Sequence, residues 1–139
     1  MLKGPNQSGF SLIELLMVVI IVGVLATIAV PSLMASRDAA QKAAAIGALR
    51  TIHSNQTTYM SQKGRYARIT ELNTYFGNSL GTTSGSWVVK GNYAYISTTT
   101  NLTTLATRYQ LWAATYENRS YLIVQFTMEQ NGVIQGVAP

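Results

Sequence analysis

Three patterns of apolar and polar positions follow one another along the chain. From Phe10 to Met34 the residues are apolar almost throughout, and Leu15 to Ser36 gives 22 positions without a charge. As a helix that stretch would extend about 33 Å, enough for a bilayer core of roughly 30 Å. After Arg37 the apolar residues retreat to one face. Ile46, Leu49, Ile52, Tyr59 and Met60 recur at helical spacing, with Gln56 filling the interval. Alanines at 39, 40, 43, 44, 45 and 48 allow close approach of neighbouring elements, and Asp38 and Lys42 form a favourably oriented i,i+4 pair. Gly64 is the expected stop. The pattern predicts one helix over 10–63, about 80 Å long, membrane-spanning in its first half and amphipathic in its second.

The third pattern follows a connector. "GRYARITELNTYFGNSLG" predicts one short helix, with Thr70 as N-cap and Gly77 as stop. "GTTSGS" reads as a flexible loop. Beyond it the period shifts to two, and "SWVVKGNYAYIST", "TRYQLWAATYE" and "YLIVQFTMEQ" read as three strands. The polar run "STTTNLTT" is expected to be a solvated loop. Asn118-Arg119-Ser120 is a turn signal, and Asn131-Gly132 signals a hairpin leading into "VIQGV". The expected fold class is α+β: a long N-terminal helix packed on an antiparallel sheet of about four strands.

Glu14 breaks this reading of the apolar run. A carboxylate in hydrocarbon costs about 3 kcal/mol or more, so it needs a partner. An ordinary secretory signal has a core of roughly 7 to 15 apolar residues and no acid within it. A plain single-pass anchor fits the length but leaves Glu14 unexplained, and the remaining domain is too small to wrap a helix this apolar. Cleavage between Gly9 and Phe10 would explain the acid. It would create an α-ammonium four residues before Glu14, about 6 Å away along one helix or within reach on a neighbouring subunit. An opposite charge offsets much of the desolvation cost, and a carboxylate relieves an ammonium at the positive end of a helix dipole.

The stretch "KGPNQSGFSLIELLMVVIIVGVLATIAVPSL" resembles the class III signal of type IV pilins and pseudopilins: a short basic leader, a Gly9-Phe10 junction, Glu14 and an apolar run. The resemblance covers roughly residues 3 to 53. It implies that a prepilin peptidase cuts after Gly9 and methylates the amine of Phe10, which keeps its charge. It implies a pairing of Glu14 with that amine on an adjacent subunit during assembly. Gly23 and Pro31 match positions between which the family's helix unwinds in the filament; by itself Pro31 predicts a bend near Ala26 to Val30. The implied organisation is a leader at 1–9, a transmembrane and assembly helix at 10–36, and a globular head at 37–139.

Chemistry adds little beyond this. No nucleophile elbow, phosphate-cradling loop or carboxylate pair occurs, so the chain reads as a substrate of enzymes rather than an enzyme, with no catalytic residues, cofactor or metal. His53 has no second ligand at metal spacing and reads as a helix-surface or domain-edge histidine. Cysteine is absent, which excludes disulfides and thiolate sites. The net charge of +5 leaves nucleic acid open as a partner on charge alone, because the basic residues do not cluster. The function implied by the resemblance is a structural pilus subunit, serving adhesion, motility or related surface functions. Its partners would be copies of itself in a helical homopolymer, the prepilin peptidase, and the assembly platform with its ATPase. It would rest in the inner membrane as a single-pass protein before joining an extracellular pilus. The alternative is a pseudopilin of a type II secretion or DNA-uptake machine.

Overall fold

The computed structural model describes residues 9–117 and 121–137. The leader before Gly9 and the turn expected at Asn118-Arg119-Ser120 lie outside them. Helix α1 (Leu12–Lys63) runs unbroken through both the apolar and the amphipathic stretches. The chain divides into two compact units, Met1–Ala39 and Ala40–Pro139. The first is α1 up to Ala39, with its apolar side chains exposed.

In the second unit, Ala45, Leu49, Ile52, Gln56 and Tyr59 form the buried seam of α1. Ala45 takes the place expected of Ile46, which is half-buried. The seam closes at the small residue, and the bulkier side chain is displaced to its edge. Gly64 follows the helix at a φ of 70°, as its stop role requires. Asp38 and Lys42 make no salt bridge: among the described residues the one ion pair joins Arg65 and Glu71.

Helix α2 (Ile69–Tyr75) follows, with Arg68 rather than Thr70 at its N-cap and no side-chain cap. The Ile69 N–H is instead satisfied by the Ser97 hydroxyl at 2.7 Å, a partner distant in sequence. A six-stranded antiparallel meander then runs in sequence order: β1 (Thr82–Ser84), β2 (Trp87–Lys90), β3 (Tyr93–Ser97), β4 (Gln110–Glu117), β5 (Tyr121–Glu129) and β6 (Ile134–Gly136). The expected four strands become six for two reasons. The stretch "SWVVKGNYAYIST" folds as the hairpin β2–β3, with Lys90 opposite Tyr93 and Gly91-Asn92 as the two-residue turn. Gly91 supplies the positive φ, 61°, that such a turn needs at its first position. "GTTSGS" supplies β1, whose three residues are exposed and polar and so carry no hydrophobic alternation. "STTTNLTT" is likewise no plain loop. Ser97 ends β3, and Asn101 caps a one-turn helix α3 (Leu102–Leu105) by accepting from the Thr103 N–H at 3.0 Å.

The sheet uses one face for the core. Val88, Tyr95 and Ala113 lie in one cross-strand row and Leu111 and Met128 in the next, all buried against Leu49, Ile52 and Tyr59. Burial raises the Tyr95 phenol to about 12 and pushes that of Tyr109 up as well. A register shift at Ala113/Ala114 lets Phe126 pair with Ala113 while Val124 pairs with Ala114. One extra β5 residue thus keeps both sides of the ladder in phase.

Two fully buried carboxamides secure the connector. Gln56 donates from Nε2 to the Ala67 carbonyl at 2.7 Å and accepts the Ala67 N–H at 2.9 Å. Asn73 donates to the Gly81 carbonyl and the Thr83 hydroxyl, and accepts the Leu80 N–H. Nearby, the Tyr59 hydroxyl donates to Glu71 at 2.8 Å and Arg65 makes two hydrogen bonds to the same carboxylate. These hold the Glu71 carboxyl below its ordinary range, Arg65 contributing most. Burial and the bond to Glu71 raise the Tyr59 phenol.

Gln56→Leu should lower stability by about 2 to 4 kcal/mol, because a buried peptide loses both partners; urea unfolding of the variant measures it. The depressed Glu71 carboxyl stabilises the fold above its unfolded pKa, and that contribution is lost as pH falls through the folded value. Thermal melts between pH 7 and pH 3 should therefore show an acid-induced decline that is shallower in Glu71→Gln.

Candidate functional site: the N-terminal processing and assembly segment

Gly9, Phe10 and Ser11 precede the first turn of α1 and are not helical, and Gly9 and Phe10 are exposed. The Gly9–Phe10 peptide thus sits in open chain immediately before a helix. Nothing lies within 4 Å of a Cβ placed on Gly9. An uncovered, non-helical peptide is the form that a protease cleft can engage, whereas helical backbone has its groups already bonded.

Glu14 lies in the first turn of α1, exposed, where the partial positive charge of the helix end favours a carboxylate. Among the described residues it has no ion-pair partner, since the one salt bridge is Arg65–Glu71. Around it, Leu12, Ile13, Leu15 and Leu16 are 50 to 82% exposed, and the same openness continues to Met34. The segment is long and apolar enough to cross a membrane by length and composition. It therefore displays apolar surface on all sides of the helix, with one carboxylate near its start.

Gly23 has open space around it, and Pro31 lies inside the helix. Proline cannot donate to the carbonyl one turn back, that of Thr27. The Thr27 hydroxyl meanwhile donates to the Val24 carbonyl at 2.7 Å. The helix is continuous across both residues. Local weak points therefore exist at Gly23 and Pro31, but the single chain does not unwind there.

The rest of the chain brings no comparable constellation together. No cluster of three or more His, Cys, Asp or Glu with metal-holding geometry occurs among the described residues. His53 is structural: its Nδ1 shares a 2.7 Å hydrogen bond with the Tyr109 hydroxyl. Its ring abuts the β5–β6 turn so closely that a Cβ on Gly132 would fall 2.9 Å from Nε2. The connector network of Tyr59, Arg65, Glu71 and Asn73 is absent from the sequence reading. The polar Gln56 in the apolar stripe signals only its own bonds to the Ala67 peptide.

Comparison with known proteins concerns the same segment. The family described as the prokaryotic N-terminal methylation motif matches residues 4–30. The type IV major pilin protein PilA of Myxococcus xanthus (strain DK1622) is 36% identical over 63 residues, covering 45% of this chain and 29% of that protein. The type II secretion system core protein G of Pectobacterium carotovorum subsp. carotovorum is 35% identical over 64 residues, covering 46% and 41%. Core protein G of Dickeya chrysanthemi is 37% identical over 61 residues, covering 44% and 40%. The chain thus spans less than half the length of these relatives. No solved structure matches it.

Proposed function

We propose that the chain, which matches the prokaryotic N-terminal methylation motif over residues 4–30 and is similar over less than half its length to a type IV pilin and to type II secretion core proteins, is a non-catalytic subunit of a type IV pilus. On this reading prepilin peptidase removes residues 1–9 and methylates the new amine at Phe10. The subunit rests in the inner membrane through residues 10–36. The assembly platform and its ATPase then draw it into a surface filament, in which the apolar helices bundle. The observation that carries the proposal is the combination at one helix start: an exposed, non-helical Gly9–Phe10 peptide, a carboxylate at Glu14 without an ion-pair partner among the described residues, and apolar side chains exposed on all sides.

The physics of assembly follows from those three features. Each apolar side chain removed from water or lipid gains packing with a neighbour, while Glu14 must be paired before it enters the bundle. The ammonium of Phe10 on the adjacent subunit is the cation that processing itself creates. Gly23 and Pro31 supply the points at which the packed helix can unwind. The likeness to core protein G supports a second reading, a pseudopilin of a secretion machine, with identical processing and pairing. Electron microscopy of sheared surface material, with mass spectrometry of its subunit, separates the two. Long surface filaments made of this chain support a pilin, and its confinement to the envelope supports a pseudopilin.

Intact-mass analysis should find a mature chain that lacks residues 1–9 and begins with N-methylated Phe10. A chain starting near Val30 or Ser32 would point to ordinary signal peptidase instead. Glu14→Gln keeps the shape and removes the charge. It should leave membrane insertion and cleavage intact but abolish long filaments, because a buried ammonium stripped of its counter-charge costs about 3 to 5 kcal/mol. Normal filament number and length in that variant would sink the charge-pair account.

A further inference from the structure

The face of the sheet turned away from α1 has a composition of its own. Trp87, Ile96 and Trp112 lie directly opposite one another on β2, β3 and β4, and the row continues through Thr127 on β5. Two residues along, Val89, Ala94, Ala114 and Val124 form a parallel row on the same face. Ala94 and Ala114 are fully buried yet lie outside the hydrophobic core cluster. Trp112 is 38% exposed, whereas Trp87 is half-buried and its indole N–H is buried without a hydrogen-bond partner. Neither row contains a charged residue at its described positions.

One step beyond the tryptophan row, the same face becomes polar. Thr98, Gln110 and Glu129 are the next residues in register, and they line an open groove of about 520 Å³ with Asn101, Thr104 and Arg108. Hydroxyl, amide, carboxylate and guanidinium groups thus border an aromatic row. The backbones that carry Trp87 and Trp112 lie two strand spacings apart, roughly 10 Å.

We propose that this face binds a neutral polysaccharide, with Trp112 and Trp87 stacking on its rings and the Thr98–Gln110–Glu129 groove bonding its hydroxyls. A pyranose has an apolar C–H face and a rim of hydroxyls, which matches an aromatic row beside a hydrogen-bonding groove. The polarised C–H groups meet the negative face of the indole. Two strand spacings match the repeat of every second ring in an extended β-linked chain. The chemistry disfavours other occupants. Nucleic acid requires clustered cations for its phosphates, and these rows are uncharged. The groove's own Arg108 and Glu129 are of opposite sign, as suits a neutral ligand. This site is independent of the processing segment and does not rest on the filament reading.

The two tryptophans of the chain are Trp87 and Trp112, so intrinsic fluorescence reports this face alone. The full chain in detergent micelles is titrated with cellohexaose and with chitohexaose, and affinities of variants are read by calorimetry. A saturable change in emission with either sugar is expected. Trp112→Ala should weaken binding about tenfold or more, whereas Trp112→Phe, which keeps a ring, should retain most of it. Circular dichroism melts matching the parent show that both variants are folded. Absence of a saturable response to either sugar overturns the proposal, and so does undiminished affinity in Trp112→Ala. Emission that changes with protein concentration alone, without sugar, also overturns it and assigns the face to contacts between copies.

Discussion

A buried peptide group at Ala67 must be satisfied wherever the chain leaves α1, and Gln56 satisfies it. Both the N–H and the C=O of Ala67 meet that one carboxamide. Leaving both unpaired would cost several kcal/mol, comparable to the whole margin of a small fold. The position of Ala67 then sets that of α2, whose first N–H is met by Ser97 on β3. From α2, Asn73 holds the following loop so that β1 can pair with β2. A chain of polar contacts, each fully used, thus leads from the helix seam to the edge of the sheet. The apolar core fills the space these contacts define.

Helix α1 meets two different demands with one backbone geometry. From Ala45 to Tyr59 it offers one buried seam and leaves its other faces to water. From Leu12 to Met34 its large apolar side chains are exposed, whichever way they point. Water is a poor solvent for that surface, so it calls for an apolar environment, a bilayer or the apolar surface of other chains. The carboxylate at Glu14 is the exception within the apolar surface, and its cation must come from outside the apolar run. Cleavage before Phe10 would generate one where the helix begins.

The sheet likewise divides its labour by the two-residue period of a strand. Odd and even positions on β2, β3 and β4 send Val88, Tyr95 and Ala113 to the core and Trp87, Ile96 and Trp112 to the opposite side. A bulge at Ala113/Ala114 preserves that division across β5. The edges are short: β1 and β6 have three residues each, and β1 is polar and exposed. Short polar edges discourage pairing with a foreign strand. Any association of this chain is thereby directed toward the apolar helix or the faces of the sheet rather than its rims.

The sequence by itself determined the extent of α1, because an uninterrupted apolar run, helical spacing of apolar residues after Arg37 and a terminal glycine are local signals. It also carried the motif at residues 4–30 that matches the prokaryotic N-terminal methylation family, since a Gly-Phe junction, an acid and an apolar run are read directly from adjacent residues. It located β4 and β5 through their alternation. The strand number exceeds the expected four where alternation is not the signal: the Gly91-Asn92 turn lies inside an apolar run, and β1 has no apolar residue to reveal it. The cap of α2 was misplaced at Thr70 because its true satisfaction comes from Ser97, 28 residues away from Ile69. Only the tertiary structure decided that Gln56 closes on Ala67 and that His53 bonds Tyr109. It also decided that two tryptophans 25 positions apart share one row, Trp87 and Trp112. Local patterns record what each residue prefers near its neighbours in the chain. Strand register and buried hydrogen bonds join residues with no such proximity, and only packing selects those partners.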